Sequence, residues 1–179
     1  MKLRVLILGY GEMGHAMEYL LAARHDVRIW NMGGVVKGSH STLEEEVTEA
    51  QVILFCLPVN PHHEIANRIA PLGWHVVVYF EARDLPELYD FFTALPTTVV
   101  VDHMGRPDVS LPVDGPQFAL FEKFMREHTN VWSKVSCPER LSVTGPKALN
   151  GEQNAYIDVI PFAKRIVELH GGRIWVESV

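Results

Sequence analysis

The chain has 179 residues, 47% of them apolar and 21% charged, enough apolar material for a packed core but too short for a (βα)8 barrel, which takes roughly 250 residues. Its charge of −6, from 16 Lys+Arg against 22 Asp+Glu, comes without any basic block. That balance excludes a nucleic-acid or anionic-membrane footprint and leaves small molecules as the expected partners. No run reaches about 18 apolar residues and the first apolar strand is too short for a signal peptide, so a soluble, cytoplasmic protein is expected. Cys56 and Cys137 have no metal-type spacing and are expected to be reduced thiols in that compartment, and no metal centre is expected.

Taken in chain order, strand patterns fall at 3–8, 26–31, 51–57, 75–80, 97–102, 130–135 and 173–178. Helical patterns lie between them at 12–23, 42–49, 61–70, 85–94, 116–128 and 152–170. Such alternation is the signature of a parallel sheet flanked by helices. The runs 50–57 and 98–101 are almost wholly apolar, as strands buried on both faces are. Pro86 and Pro116 fit first helical turns, where a missing N–H costs nothing. Pro161 predicts a kink or a second helix within 152–170. Gly171 and Gly172 cap that last helix, with His170 placed as a cation near its negative end. The fold class predicted is α/β: one open, doubly wound, Rossmann-like parallel sheet of about seven strands with helices on both faces, forming a single domain over 1–179.

The first strand runs into Gly9-Tyr10-Gly11-Glu12-Met13-Gly14. In such a turn the first glycine makes the bend, the second admits a pyrophosphate, and the third lets the helix pack on the strand. The alternative is a purely structural tight turn. This stretch resembles the NAD(P)-dependent glycerol-3-phosphate dehydrogenases over residues 1–66. The resemblance implies a dinucleotide-binding half with contacts at Gly9, Gly11, Glu12, Met13, Gly14, Trp30, Asn31, Leu57 and Pro58, and NAD or NADP as cofactor. The second strand ends in Asn31 rather than the acidic residue that binds a ribose hydroxyl, and Lys37 is either a 2′-phosphate partner or a solvated loop lysine. The catalytic domain of that family has no counterpart here.

Residues 72–168 include Val76-Val77-Val78-Tyr79-Phe80, then Val101-Asp102-His103-Met104-Gly105-Arg106, then Trp132-Ser133-Lys134-Val135-Ser136-Cys137-Pro138-Glu139-Arg140. Tyr79 ends one strand, His103 and Arg106 follow the next and Arg140 follows the third, so they are expected at the carboxyl edge of the sheet, where α/β proteins place ligands. A guanidinium can hold a carboxylate by two parallel hydrogen bonds, so arginines in that place suit a dicarboxylate. The stretch resembles the 2-pyrone-4,6-dicarboxylate lactonases of the amidohydrolase superfamily. That resemblance implies substrate contacts at Tyr79, Arg106 and Arg140 and a catalytic role for His103. The family's His-x-His pair is absent, His62 and His63 being adjacent. Its last-strand aspartate is also absent, with Glu177 the nearest carboxylate.

Residues 166–178 resemble part of the ATP-binding domain of sensor histidine kinases, without its nucleotide-binding motifs. Three partial likenesses, meeting near 66–72 and 163–166, predict an engineered or computationally assembled chimera. Residues 67–179 are then a barrel-derived half with a grafted terminal helix and strand. On this expectation the chain has no complete active site, is more an inert scaffold than an enzyme, and retains NAD(P) affinity at the glycine turn. The alternatives are a lactonase acting on a pyrone dicarboxylate and a fragment of an NAD(P)-dependent oxidoreductase.

Overall fold

The computed structural model describes residues 1–58, 61–145 and 156–172. Two compact units divide the chain, Met1–Trp74 and His75–Val179. The first contains β1 (Arg4–Leu8), α1 (Glu12–Leu21), β2 (Asp26–Asn31), β3 (Gly34–Lys37), α2 (Leu43–Glu49), β4 (Val52–Phe55) and α3 (His62–Ile69). Its sheet has the order β3-β2-β1-β4, with β1 parallel to both β2 and β4 and with β3 antiparallel to β2.

Alternation along β1 and β2 divides this core between two faces. Ile7, Val27 and Ile29 pack with Met17 and Leu21 of α1. Leu6, Leu8 and Trp30 pack with Leu43 and Val47 of α2 and Ile65 and Ile69 of α3. Thr42 starts α2 with a reciprocal capping box to Glu45, satisfying two backbone donors at the helix start. Beneath this layer, the buried Arg28 guanidinium donates to Glu46 at 3.0 Å and to Glu49 at 2.9 Å. The second Glu46 carboxylate oxygen accepts the Ser39 and His40 N–H groups, both at 2.6 Å. A fully buried carboxylate is thereby paired and hydrogen-bonded, as burial of a charge requires.

The second unit contains β5 (Val76–Val78), α4 (Leu85–Thr93), β6 (Val99–Val101), α5 (Pro116–Glu127), β7 (Val131–Ser133), the short α6 (Pro138–Leu141) and α7 (Ile160–Leu169). The parallel sheet β5-β6-β7 buries Val99, Val101 and Val131. An aromatic cluster built from Phe80, Phe92, Phe118, Phe121, Phe124 and Phe162 forms the core of this unit, with ring centroids 4.9–6.3 Å apart. On alternate strand positions Val77 and Trp132 stay 44% and 36% exposed.

The mixed α/β architecture with parallel pairing agrees with the sequence reading. The single Rossmann-like sheet of seven strands does not, because the strands form separate sheets of four and three. The hairpin to β3 occupies one edge of the first sheet with an antiparallel strand, and β5 begins a second sheet with its own partners. The strand expected at 173–178, with Glu177, lies outside the described residues. Pro161 sits in the first turn of α7, so the helix starts there and the described part carries no kink. Gly171 and Gly172 end α7 with φ of 66° and 75°, and the Gly172 N–H bonds Val167 O at 2.8 Å. The His170 ring stacks on Trp132 with centroids 4.8 Å apart, and burial pushes its imidazole below the usual range, which works against the charged form.

Candidate active site

The carboxyl ends of β5, β6 and β7 are tied together by backbone hydrogen bonds. Lys134 N–H donates to Val101 O at 2.8 Å, Met104 N–H to Lys134 O at 3.0 Å, and Ala82 N–H to Arg106 O at 3.4 Å. The turn after β6 is forced into an unusual shape by these ties. His103, Met104 and Arg106 have φ of 51°, 60° and 47°, with Gly105 between them at 67°. Each non-glycine residue held left-handed costs on the order of 1–3 kcal/mol, and such strain collects at functional sites. Two features hold the turn down. Met104 is 1% exposed, and Gly105 lies so close to Phe121 that a Cβ there would meet the ring at 2.7 Å.

The strained turn projects His103 and Arg106. The Arg106 guanidinium donates to the Tyr79 hydroxyl, lies 5.6 Å from the Tyr79 ring centroid, and pairs with Glu81 at 3.2 Å. Its buried Nε has no hydrogen-bond partner among the described residues. The His103 ring meets the Tyr79 ring edge-on with centroids 6.1 Å apart, and its Nδ1 is 2.9 Å from the Ser136 hydroxyl. Asp102 is paired with Lys134 at 3.1 Å. Tyr79, His103 and Arg106 therefore form one cluster.

Arg140 stands apart from that cluster in its contacts. It lies on α6, four residues past Ser136, with its side chain 59% exposed and 4.0 Å from Glu139. The stretch after it is pinned by Asp158, which accepts from the Ser142 hydroxyl at 2.6 Å and from the Val143 and Thr144 N–H groups at 2.8 and 3.2 Å. Burial pushes this carboxyl up, but those hydrogen bonds outweigh it and hold the pKa down at about 2. Ser136, Glu81 and the Asp102–Lys134 pair were missed by sequence reasoning. Ser136 had a signal, since it lies in the same stretch as Arg140. Among the described residues no three His, Cys, Asp or Glu side chains converge as a metal-holding group.

The glycine turn of the first unit is explained by packing. Gly9 has φ of 100°, and a Cβ on it would sit 2.6 Å from Cys56 O. A Cβ on Gly14 would run into the Gly9 carbonyl oxygen, whereas Gly11 meets nothing within 4 Å. Trp30 is 5% exposed within the core, and Leu57 packs against the same cluster. Asn31, Pro58, Glu12 and Met13 are exposed. Lys37 is bound to Glu18 at 2.7 Å and His62 reaches Leu57 O at 3.2 Å.

A family model described as amidohydrolase matches residues 27–173. The chain belongs to the amidohydrolase family. The match extends from β2 past both expected joins, at 66–72 and 163–166, and into both units. It overturns the expectation of an engineered chimera, and with it the expectation of a dinucleotide site at Gly9–Gly14, Trp30, Asn31, Leu57 and Pro58 with NAD or NADP as cofactor. The histidine-kinase and dehydrogenase likenesses find no support. Among curated relatives, the chain is 80% identical over 111 residues to a 2-pyrone-4,6-dicarboxylate hydrolase of Comamonas testosteroni, covering 62% of this chain and 36% of that protein. It is 27% identical over 103 residues to a 4-sulfomuconolactone hydrolase of Hydrogenophaga intermedia, covering 58% and 31%. The chain thus spans about a third of the length of the curated relatives it matches. In fold it resembles a crystal structure from Agrobacterium tumefaciens, with a TM-score of 0.59 at 18% identity, over 96% of this chain and 63% of that one. No helix among the described residues is long and apolar enough to cross a membrane.

Proposed function

We propose that this amidohydrolase-family chain is a hydrolase of a lactone dicarboxylate of the pyrone class, working at the carboxyl ends of β5, β6 and β7. The observation that carries the reading is the strained turn 103–106, which presents His103 and Arg106 beside Tyr79. Two matched relatives bear the names of a 2-pyrone-4,6-dicarboxylate hydrolase and a 4-sulfomuconolactone hydrolase, and the 80% identity to the first supports the pyrone dicarboxylate as substrate class.

In this reading the Arg106 fork and the Tyr79 hydroxyl hold one carboxylate, and Arg140 receives the other. Arg106 is held ready by Glu81, a partner that substrate oxygens replace on binding. His103 Nε2 takes a proton from water as the water oxygen bonds to the lactone carbonyl carbon. The ring C–O bond then breaks, and the same proton passes to the departing ring oxygen. The product carries a third carboxyl group, which ionises to solvent. Proton transfer by a positioned side chain is worth about 10²–10⁴-fold in rate.

The test is loss of the pyrone ultraviolet absorbance on addition of the chain. Turnover is expected, with kcat reduced about 10²–10⁴-fold by His103→Ala and KM raised by Arg106→Ala. Absence of turnover, or turnover that is indifferent to His103→Ala, would overturn the proposal.

A further inference from the structure

We infer that Ser136 is a positioning residue for His103: its hydroxyl accepts the Nδ1–H and leaves Nε2 as the ring's free, proton-accepting nitrogen. The inference rests on the hydrolase reading for its catalytic meaning, while its structural content can be tested alone.

A neutral imidazole carries one N–H, and the partner of one nitrogen decides which nitrogen holds it. The hydroxyl of Ser136 lies 2.9 Å from Nδ1, and among the described residues no other hydrogen bond reaches the ring. Rotation about the side chain is limited as well, because Tyr79 closes one side edge-on and the backbone of His103 is held left-handed at φ 51°. Ser136 is itself fixed from the far side. The next residue, Cys137, is left-handed at φ 54° and starts α6, while Lys134, two residues earlier, is bonded through its backbone to Val101 and Met104. The serine and the histidine thus come from stretches following adjacent parallel strands and are registered to one another by those ties.

The charged neighbours do not compete for the ring. Asp102 faces Lys134 at 3.1 Å, Glu81 faces Arg106 at 3.2 Å, and Glu139 lies by Arg140 at 4.0 Å. An uncharged hydroxyl is therefore what orients the base. It can accept Nδ1–H before and after Nε2 takes up a proton, so the contact survives the whole cycle. A serine in this role has one requirement, an oxygen at that distance. Threonine keeps it and alanine does not.

The experiment uses the full chain labelled with 15N and reads the ring nitrogens of His103 by long-range 1H–15N correlation, beside steady-state kinetics. Expected are an Nδ1–H, bare-Nε2 pattern in the wild type, reversion towards Nε2–H in Ser136→Ala, and recovery in Ser136→Thr. In the kinetics, Ser136→Ala lowers kcat on the order of 10²-fold with KM within about twofold, as loss of reactive geometry does, and Ser136→Thr restores it. The same nitrogen pattern in wild type and Ser136→Ala overturns the inference, even where lactone turnover is intact. Absence of turnover in the wild type overturns the hydrolase reading instead, and the nitrogen spectra then still decide the role of Ser136.

Discussion

The sheet of Met1–Trp74 and the sheet of His75–Val179 use the same parallel pairing but bury it differently. In the first, β1 presents Leu6 and Leu8 to one helical layer and Ile7 to another, and Val5 to Leu8 are all buried. In the second, Val99, Val101 and Val131 are buried while Val77 and Trp132, on alternate positions, remain partly exposed. The first unit also places a charge cluster inward, with Arg28 and Glu46 buried together. The second pairs its buried Glu122 with Arg165 and gathers a further polar group at the strand ends, around a turn with three non-glycine residues in left-handed backbone. The first unit pairs its buried carboxylate inside the fold, whereas the second holds backbone strain at its edge, and such strain collects at functional sites.

Changes in the cores break this comparison most strongly. Phe121→Ala removes the ring that supports both the aromatic cluster and Gly105. It is expected to cost about 3–5 kcal/mol and to loosen the turn that carries His103 and Arg106. Chemical denaturation paired with the pyrone assay would register both losses, and a stable variant with full activity would separate Phe121 from the site. In the first unit, Glu46→Ala removes the buried partner of Arg28, leaving Glu49 and Asp26 to hold the guanidinium, and frees the Ser39 and His40 N–H groups. The expected cost is about 3 kcal/mol, at the lower end for breaking a buried pair because the freed loop N–H groups can reach water. If the assignment of function to the second unit is right, the Glu46 variant binds the substrate normally wherever it remains folded.

A smaller effect comes from Asp158. Its folded pKa, about 2, lies below the value of 3.8 from which it is lowered. The hydrogen bonds to 142–144 therefore add stability that is fully present above pH 3.8 and is lost as pH falls towards 2. Asp158→Asn should lower the thermal midpoint at pH 5, and the gap from wild type should close near pH 2. A gap that is constant with pH would show that the carboxylate charge is not what pins the stretch following Arg140.

Much of this was legible before any coordinates. The strand expected at 26–31 is the observed β2, the helix expected at 42–49 is α2 to within a residue, and Pro86 and Pro116 do lie in the first turns of α4 and α5. Pairing was not legible, because periodicity says which face of a strand is buried and nothing about which strand lies beside it. So the single sheet expected is, among the described residues, two sheets, one of which contains the unexpected β3. The four-residue β3, opening at Gly34, carries too little pattern to register as a strand. The glycine turn misled for a physical reason: Gly9 and Gly14 are required by close approach to Cys56 and to each other, a demand that a ligand-free turn makes as strongly as a nucleotide site does. At the candidate site, Tyr79, His103 and Arg106 were legible from their places after strands. The left-handed backbone of three of those turn residues was not, since histidine, methionine and arginine do not announce positive φ as glycine does.

The most direct measurement is a map of where the ligand binds. Titrating 2-pyrone-4,6-dicarboxylate into the 15N-labelled chain should shift the backbone resonances of Tyr79, His103, Gly105, Arg106 and Arg140, and should leave Gly9 to Gly14 and Trp30 unmoved. Shifts centred on Gly9–Gly14, or none anywhere at saturating ligand, would contradict the placement of the active site at the carboxyl ends of β5, β6 and β7.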